Sequence, residues 1–301
     1  MTLGTVQLGM EYGISNSTGK PDRKESFSIL DKAMEGGINS FDTALAYGDS
    51  EAVLGDYFNQ EVLKNKDYTI TTKFAFKEKK SLYKREIEAQ VNEFVNKSLL
   101  QLKQDKLQIV MLHHYDDLEF YGSKLVDAMK NVKANGLTDK IGVSVHDPNT
   151  IKDVISYGAF DAIQAPMSIL DTRIPKSGVL EELKKEEMIV FIRSVFLQGL
   201  IFKDENSALP PNIECARPYI RKLRDIAERE NIGIAELAMA YVRDLPGVTS
   251  LVVGCETKSQ VEQNVACINT PSLSQKTVRE IQEAFAGVPE AVINPMKWAV
   301  G

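Results

Sequence analysis

Asp42, Tyr47, Lys73 and His113 together could place a proton on a carbonyl oxygen as hydride arrives at its carbon. Hydride addition leaves negative charge on that oxygen, so the step needs a positioned proton donor. A free tyrosine, with a pKa of about 10, exchanges protons slowly near neutrality, and a neighbouring ammonium lowers that value by favouring the phenolate. Lys73 can supply the ammonium and Asp42 can hold it in place. His113 can hydrogen-bond the substrate oxygen and orient it. Taken singly, an acid or a lysine is ordinarily a salt bridge and a tyrosine ordinarily packing. Their joint occurrence is what carries information.

These residues fall at the ends of apolar, β-branched runs. Such runs predict strands over residues 5–8, 39–42, 68–73, 108–113, 140–145, 160–165, 188–193 and 250–254. Helical spacing fills the intervals, over 23–36, 50–58, 84–101, 125–135, 149–156, 180–186, 217–230 and 259–266, with further helices at 234–244 and 274–286. Gly36-Gly37 and Asn135-Gly136 stop helices, and Asp147-Pro148-Asn149 suits a turn feeding a helix cap. This alternation, with no linker or composition shift, predicts one domain over residues 1–301, an α/β protein of the (β/α)8 TIM-barrel class. A doubly wound open sheet is the competing architecture, but its Gly-x-Gly-x-x-Gly turn is missing. In a barrel the site lies at the C-terminal ends of the strands. Parity then groups Ile109, Met111 and His113 on one strand face, leaving His114 on the face toward the helices.

The formal net charge of −6 argues against a nucleic-acid partner, which needs a clustered basic surface. No apolar run reaches the roughly 18 residues of a membrane span, and the N-terminus lacks a signal-peptide pattern. Cys215, Cys255 and Cys267 fit no zinc spacing and are expected as reduced thiols in a cytoplasmic protein.

The stretch from Gly37 to Gly55, GINSFDTALAYGDSEAVLG, closely resembles the second strand and following helix of the aldo-keto reductase superfamily, and weaker matches run to the C-terminus. The resemblance implies Asp42, Tyr47, Lys73 and His113 as the catalytic tetrad, with Tyr47 as the general acid/base. It also implies a nicotinamide dinucleotide, NAD or NADP. Ser144 and Gln164 would meet the carboxamide, although Val145 replaces the family's usual asparagine. The segment Arg193-Ser194-Val-Phe196-Leu-Gln198-Gly199 would cover the nicotinamide and pyrophosphate. Arg193 there replaces a common aromatic, and a planar guanidinium can also stack on a ring. Gly254, Glu256, Lys258, Gln260, Gln263 and Asn264 would surround the adenosine. Glu256 stands where many relatives carry an arginine for the 2′-phosphate of NADP, which leans toward NAD, while Lys258 pulls the other way. Trp298 in the C-terminal tail is expected either to wall the substrate pocket or to pack outside the barrel. The loop over residues 202–218 is read as a cofactor flap or a plain mobile loop.

The expected function is therefore NAD(P)-dependent reduction of an aldehyde, ketone or sugar-like carbonyl, or the reverse oxidation. The Arg-Ser-Val-Phe-Leu-Gln-Gly-Leu run resembles members linked to sugar metabolism. Two competing readings are a non-catalytic cofactor-binding regulatory subunit and a barrel lyase or aldolase with Lys73 as a Schiff base. The former would not need the tetrad intact, and the latter leaves Tyr47 and the adenosine-like segment without a use. Oligomeric state is left open.

Overall fold

The computed structural model describes residues 1–12, 19–63, 66–204 and 206–299. Eight parallel strands close into a barrel in sequence order: β1 (Thr2–Gly4), β2 (Ser40–Asp42), β3 (Thr69–Phe74), β4 (Leu107–Leu112), β5 (Thr138–Ser144), β6 (Ala162–Pro166), β7 (Ile189–Arg193) and β8 (Ser250–Gly254). Closure is made by β1 against β8, with Leu3 opposite Val253 and Gly4 opposite Gly254.

The apolar residues divide into two sets, as a filled barrel requires. Ile109, Met111, Ala162 and Phe191 pack together inside it. A much larger set, including Leu3, Phe41, Ile70, Val110, Leu112, Val143 and Ile192, packs outward under the helices. Alternate residues of one strand thus serve opposite sides. On β4 this sends Ile109 and Met111 inward, and His113 follows the same parity just past the strand end.

Local chemistry sets the helix boundaries. The helix Arg23–Glu35 starts at Asp22, whose carboxylate accepts from the Glu25 amide at 2.8 Å, and the chain then reverses at Gly37 with φ of 80°. Asp147 likewise caps a 3-10 turn, Pro148–Thr150, which runs into the helix Ile151–Ser156.

One expected strand is displaced. Residues 5–8 are not a strand; β1 ends at Gly4 and Val6–Gly9 forms a helical turn. Two apolar residues, Val6 and Leu8, in a short run suit either structure, and pairing with β2 and β8 decides the matter. The turn bears directly on the site. A Cβ on Gly9 would lie 1.8 Å from the Tyr47 carbonyl oxygen, and one on Gly48, itself at φ 59°, would lie 2.2 Å from the Gly9 carbonyl. Two glycines facing each other let this turn press against the backbone that carries Tyr47.

Candidate active site

The C-terminal ends of the strands open into a cavity of about 1430 Å³. Asp42 closes β2, Lys73 lies near the end of β3, and His113 follows β4. The Lys73 ammonium, fully buried, donates to both Asp42 carboxylate oxygens at 2.8 Å and to the Thr43 carbonyl at 2.7 Å. The same ammonium sits 5.1 Å from the centre of the Tyr47 ring, and Tyr47 meets His113 edge-on at 5.4 Å. All four expected tetrad residues are therefore in one cluster. Asp42, Tyr47 and His113 face the cavity, and Lys73 lies behind them.

The electrostatics differ from the expectation in one respect. Burial pushes the Tyr47 phenol above its ordinary pKa; Lys73 pulls it down and Asp42 pushes it up. The net direction is upward because burial outweighs the Lys73 charge, which Asp42 partly offsets. Tyr47 therefore holds its proton at neutral pH. His113 is pushed down to about 2, first by burial and then by the Lys73 charge, so it is neutral. Its Nδ1 is buried without a hydrogen-bond partner.

All three histidines of the chain meet here. His113 stacks on His114 at 4.7 Å, and His114 on His146 at 5.3 Å. Arg193 crosses over the end of β6 and donates through Nη2 to the Val145 carbonyl at 3.1 Å and to His146 Nδ1 at 2.9 Å. A guanidinium only donates, so His146 Nδ1 accepts and its proton sits on Nε2. That Nε2 then donates to His114 Nδ1, 3.0 Å away. Burial and the Arg193 charge push His146 down to about 4.

These shifts predict an acid-side loss of stability. Both folded-state values lie below the roughly 6.5 of a free histidine, so the unfolded chain binds the extra protons as pH falls. Stability from this source is complete above about pH 6.5. It declines toward about 4 for His146 and toward about 2 for the more deeply buried His113. Urea unfolding at pH 7 and pH 5 should give an average slope of about 1 kcal/mol per pH unit from His113 alone. The wild-type slope minus that of His113→Gln isolates the term; equal slopes would remove it.

Further round the cavity wall lie Ser144, Gln164, Ser194, Phe196, Gln198 and Gly199, followed by Gly254, Glu256, Gln260, Gln263 and Asn264. Gln164 donates to Asp42 at 2.7 Å, so it ties β6 to the Asp42–Lys73 pair. The segment after β7 carries left-handed backbone at three non-glycine residues, Ser194, Leu197 and Gln198, with φ of 65°, 48° and 50°. Each costs on the order of 1–2 kcal/mol, and such outliers gather where a backbone must approach a ligand. Gln260 accepts from the Glu256 amide at 2.6 Å, and Asn264 donates to the Cys255 sulfur at 3.2 Å.

Two expected residues lie apart from the cavity lining. Lys258 begins the helix Lys258–Ile268 without facing it. Trp298 instead donates its indole N–H to the Val292 carbonyl at 3.2 Å, and Ile293, Asn294, Pro295 and Met296 supply the C-terminal wall. Other lining residues escaped the sequence reading. His146 shares the inward parity of Ser144, and that signal could have revealed it. Lys203 and Ser207 bring the 202–218 loop to the wall, of which residue 205 lies outside the described residues. Arg224 arrives from the helix Arg217–Glu230, donating to the Phe202 and Lys203 carbonyls at 3.0 and 2.8 Å. Only tertiary contact reveals it.

The fit to a dinucleotide rests on size and on unmatched charge. The volume exceeds the roughly 300–1000 Å³ of ordinary small-molecule pockets. Among the described residues neither Arg193 nor Arg224 forms an ion pair, and Arg224 Nε is buried without a partner. Two guanidinium groups without an ion-paired carboxylate among the described residues, lining one cavity of an acidic protein, suit an anionic ligand. No His/Cys/Asp/Glu cluster suited to a metal ion occurs among the described residues.

Comparison with known proteins gives a consistent result. The model of the aldo/keto reductase family matches residues 1–286. The chain is 28% identical to the NADH-specific methylglyoxal reductase of Escherichia coli, covering 95% of each chain. It is 25% identical to an oxidoreductase of Bacillus subtilis, YqkF, over 93% of this chain and 94% of that one. Among solved structures, the holo form of aldo-keto reductase AKR11C1 from Bacillus halodurans superposes with a TM-score of 0.74 at 24% identity, over 96% of this chain and 93% of that one.

Proposed function

The chain belongs to the aldo/keto reductase family, and from that premise we propose that it transfers hydride between a nicotinamide dinucleotide and a small carbonyl compound, with Tyr47 as the proton donor. The supporting observation is the Tyr47–Lys73–Asp42–His113 cluster at the mouth of a cavity large enough for cofactor and substrate together.

The bound nicotinamide would supply the hydride and accept it in the reverse direction. The protein does the rest. Tyr47, protonated at neutral pH, donates to the carbonyl oxygen as charge develops there. Neutral His113 turns its Nε2–H toward that oxygen, because an orphaned acceptor at Nδ1 is more tolerable than an orphaned donor. Lys73, fixed by Asp42 and Thr43, stabilises the tyrosinate that donation leaves behind. The Asp42–Gln164 hydrogen bond keeps Asp42 from turning away. Ser194, Phe196, Gln198 and Gly199 would cover the nicotinamide and pyrophosphate, with Arg224 and Lys203 supplying positive charge. Glu256, Gln260, Gln263 and Asn264 would hold the adenosine, and Ser144 the carboxamide. An aldehyde, ketone or sugar-like carbonyl is the substrate class, taken up in the cytoplasm.

The cofactor is read as NAD. Glu256 faces the cavity, where a carboxylate accepts from a free 2′-hydroxyl and repels a 2′-phosphate, whereas Lys258 lies off the wall. The Escherichia coli relative is named as NADH-specific. Glu256→Arg should move the NADPH/NADH ratio of kcat/KM toward NADPH by about 10-fold or more, the worth of about 1.4 kcal/mol of charge reversal at a ribose. An unchanged ratio would show that Glu256 does not face the ribose. Turnover of a panel of aldehydes, ketones and aldoses with NADH tests the reaction itself; no turnover of any member, with cofactor bound, would leave the regulatory-subunit reading in its place.

A further inference from the structure

We propose that Arg193 makes the site discriminate between the two redox states of its cofactor, holding reduced, neutral nicotinamide more tightly than the oxidised, cationic ring, so that the site fills with the reduced form and releases the oxidised one readily. The inference rests on the nicotinamide reading above and adds a redox preference in binding to it.

The argument is a balance of charge around the reacting centre. Asp42 and Lys73 cancel each other across 2.8 Å. Gln164 is an amide, His113 is neutral, and His146 is held neutral because its Nδ1 accepts from Arg193. Of the other carboxylates on the wall, Asp171 is matched by Arg173 at 2.7 Å. Glu236 is bonded to the Gly233 amide, and Glu256 stands by the expected adenosine. What remains at the tetrad is one positive charge, the guanidinium of Arg193, without an ion-pair partner among the described residues.

That charge cannot easily turn away. Its Nη2 is fixed by the Val145 carbonyl and His146 Nδ1, and its Nη1 reaches Ser194 Oγ at 3.4 Å. The fixing atoms lie just past β5 and β7, so the guanidinium spans the mouth of the barrel over β6. There it is close enough to Tyr47 and Asp42 for each to feel it electrostatically. Any ring that gives hydride to a carbonyl held by Tyr47 must share that neighbourhood. The two redox forms carry the same adenosine and pyrophosphate and differ by one positive charge on the ring. Two like unit charges roughly 10 Å apart, at an effective dielectric of about 20, change a binding constant by about 10-fold. The same charge also favours the anionic oxygen that reduction creates.

The test is a pair of dissociation constants, with NADH followed by fluorescence and NAD+ by calorimetry or displacement of NADH. In the wild-type protein NAD+ should bind at least about 10-fold more weakly than NADH. Arg193→Gln should bring the ratio down by about 5-fold or more, whereas Arg193→Lys, which keeps the charge, should hold most of it. A packing role alone would weaken both cofactors together and leave the ratio where it was. Equal wild-type affinities, or a ratio untouched in Arg193→Gln, would overturn the proposal while leaving the nicotinamide reading intact. If neither cofactor binds, both fail.

Discussion

Replacing Tyr47 with phenylalanine is expected to lower kcat for carbonyl reduction by about 10²- to 10⁴-fold, the usual worth of a positioned general acid. The substitution is narrow. The ring keeps its edge contact with His113 and its place under the Lys73 ammonium, and only the hydroxyl goes. NADH affinity should therefore stay within about 2-fold of wild type, a change of less than about 0.5 kcal/mol. Turnover close to wild type would take Tyr47 out of the mechanism. The raised phenol adds a pH signature: the alkaline limb of the reduction profile should lie above the roughly 10 of a free tyrosine.

Lys73→Met is expected to damage stability as well as activity. It leaves the Asp42 carboxylate, 3% exposed, with the Gln164 amide as its remaining hydrogen-bond donor among the described residues. Breaking a buried pair by removing one partner costs about 3–5 kcal/mol, because the remaining charge is uncompensated. Chemical denaturation measures that loss. The double variant Asp42→Asn/Lys73→Met removes both charges and should recover much of the stability, yet it should stay as inactive as the single one. A double variant no more stable than Lys73→Met would mean that packing of the lysine stem, not the ion pair, carries the loss.

The architecture was readable in the sequence because its signal is periodic and repeated. Seven strands fall where alternation and β-branched runs put them, since each must send one face into the barrel and the other under the helices. The eighth, the first in the chain, lies a few residues before its apolar run. Val6-Gln-Leu8 carries the apolar character of a strand, and only pairing with β2 and β8 reveals that β1 ends before it. The tetrad positions were legible for the same reason, as polar residues that interrupt apolar runs at strand ends. His146 was missed although its parity with Ser144 pointed inward. Arg224 was not readable at all, because its place depends on how the helix Arg217–Glu230 meets the loop before it. The upward direction of the Tyr47 shift is not legible in the sequence for a physical reason. A count of neighbouring charges sees Lys73 but not the depth of burial, nor the tightness with which Asp42 holds it.

The pairing of β1 with β8 has a consequence for how the chain acquires its shape. Gly4 and the Gly254 it faces lie 250 positions apart, so the last hydrogen-bonded ladder joins the most distant strands. Until β8 arrives, β1 and β7 present open edges, and a ribosome emitting about 5–20 residues per second leaves them open for many seconds. Every strand end that contributes to the cavity, from Asp42 to Gly254, waits on that final docking for its geometry. Slow, non-local closure of this kind makes β8 a natural late step in folding, and the partly built barrel a substrate for chaperones.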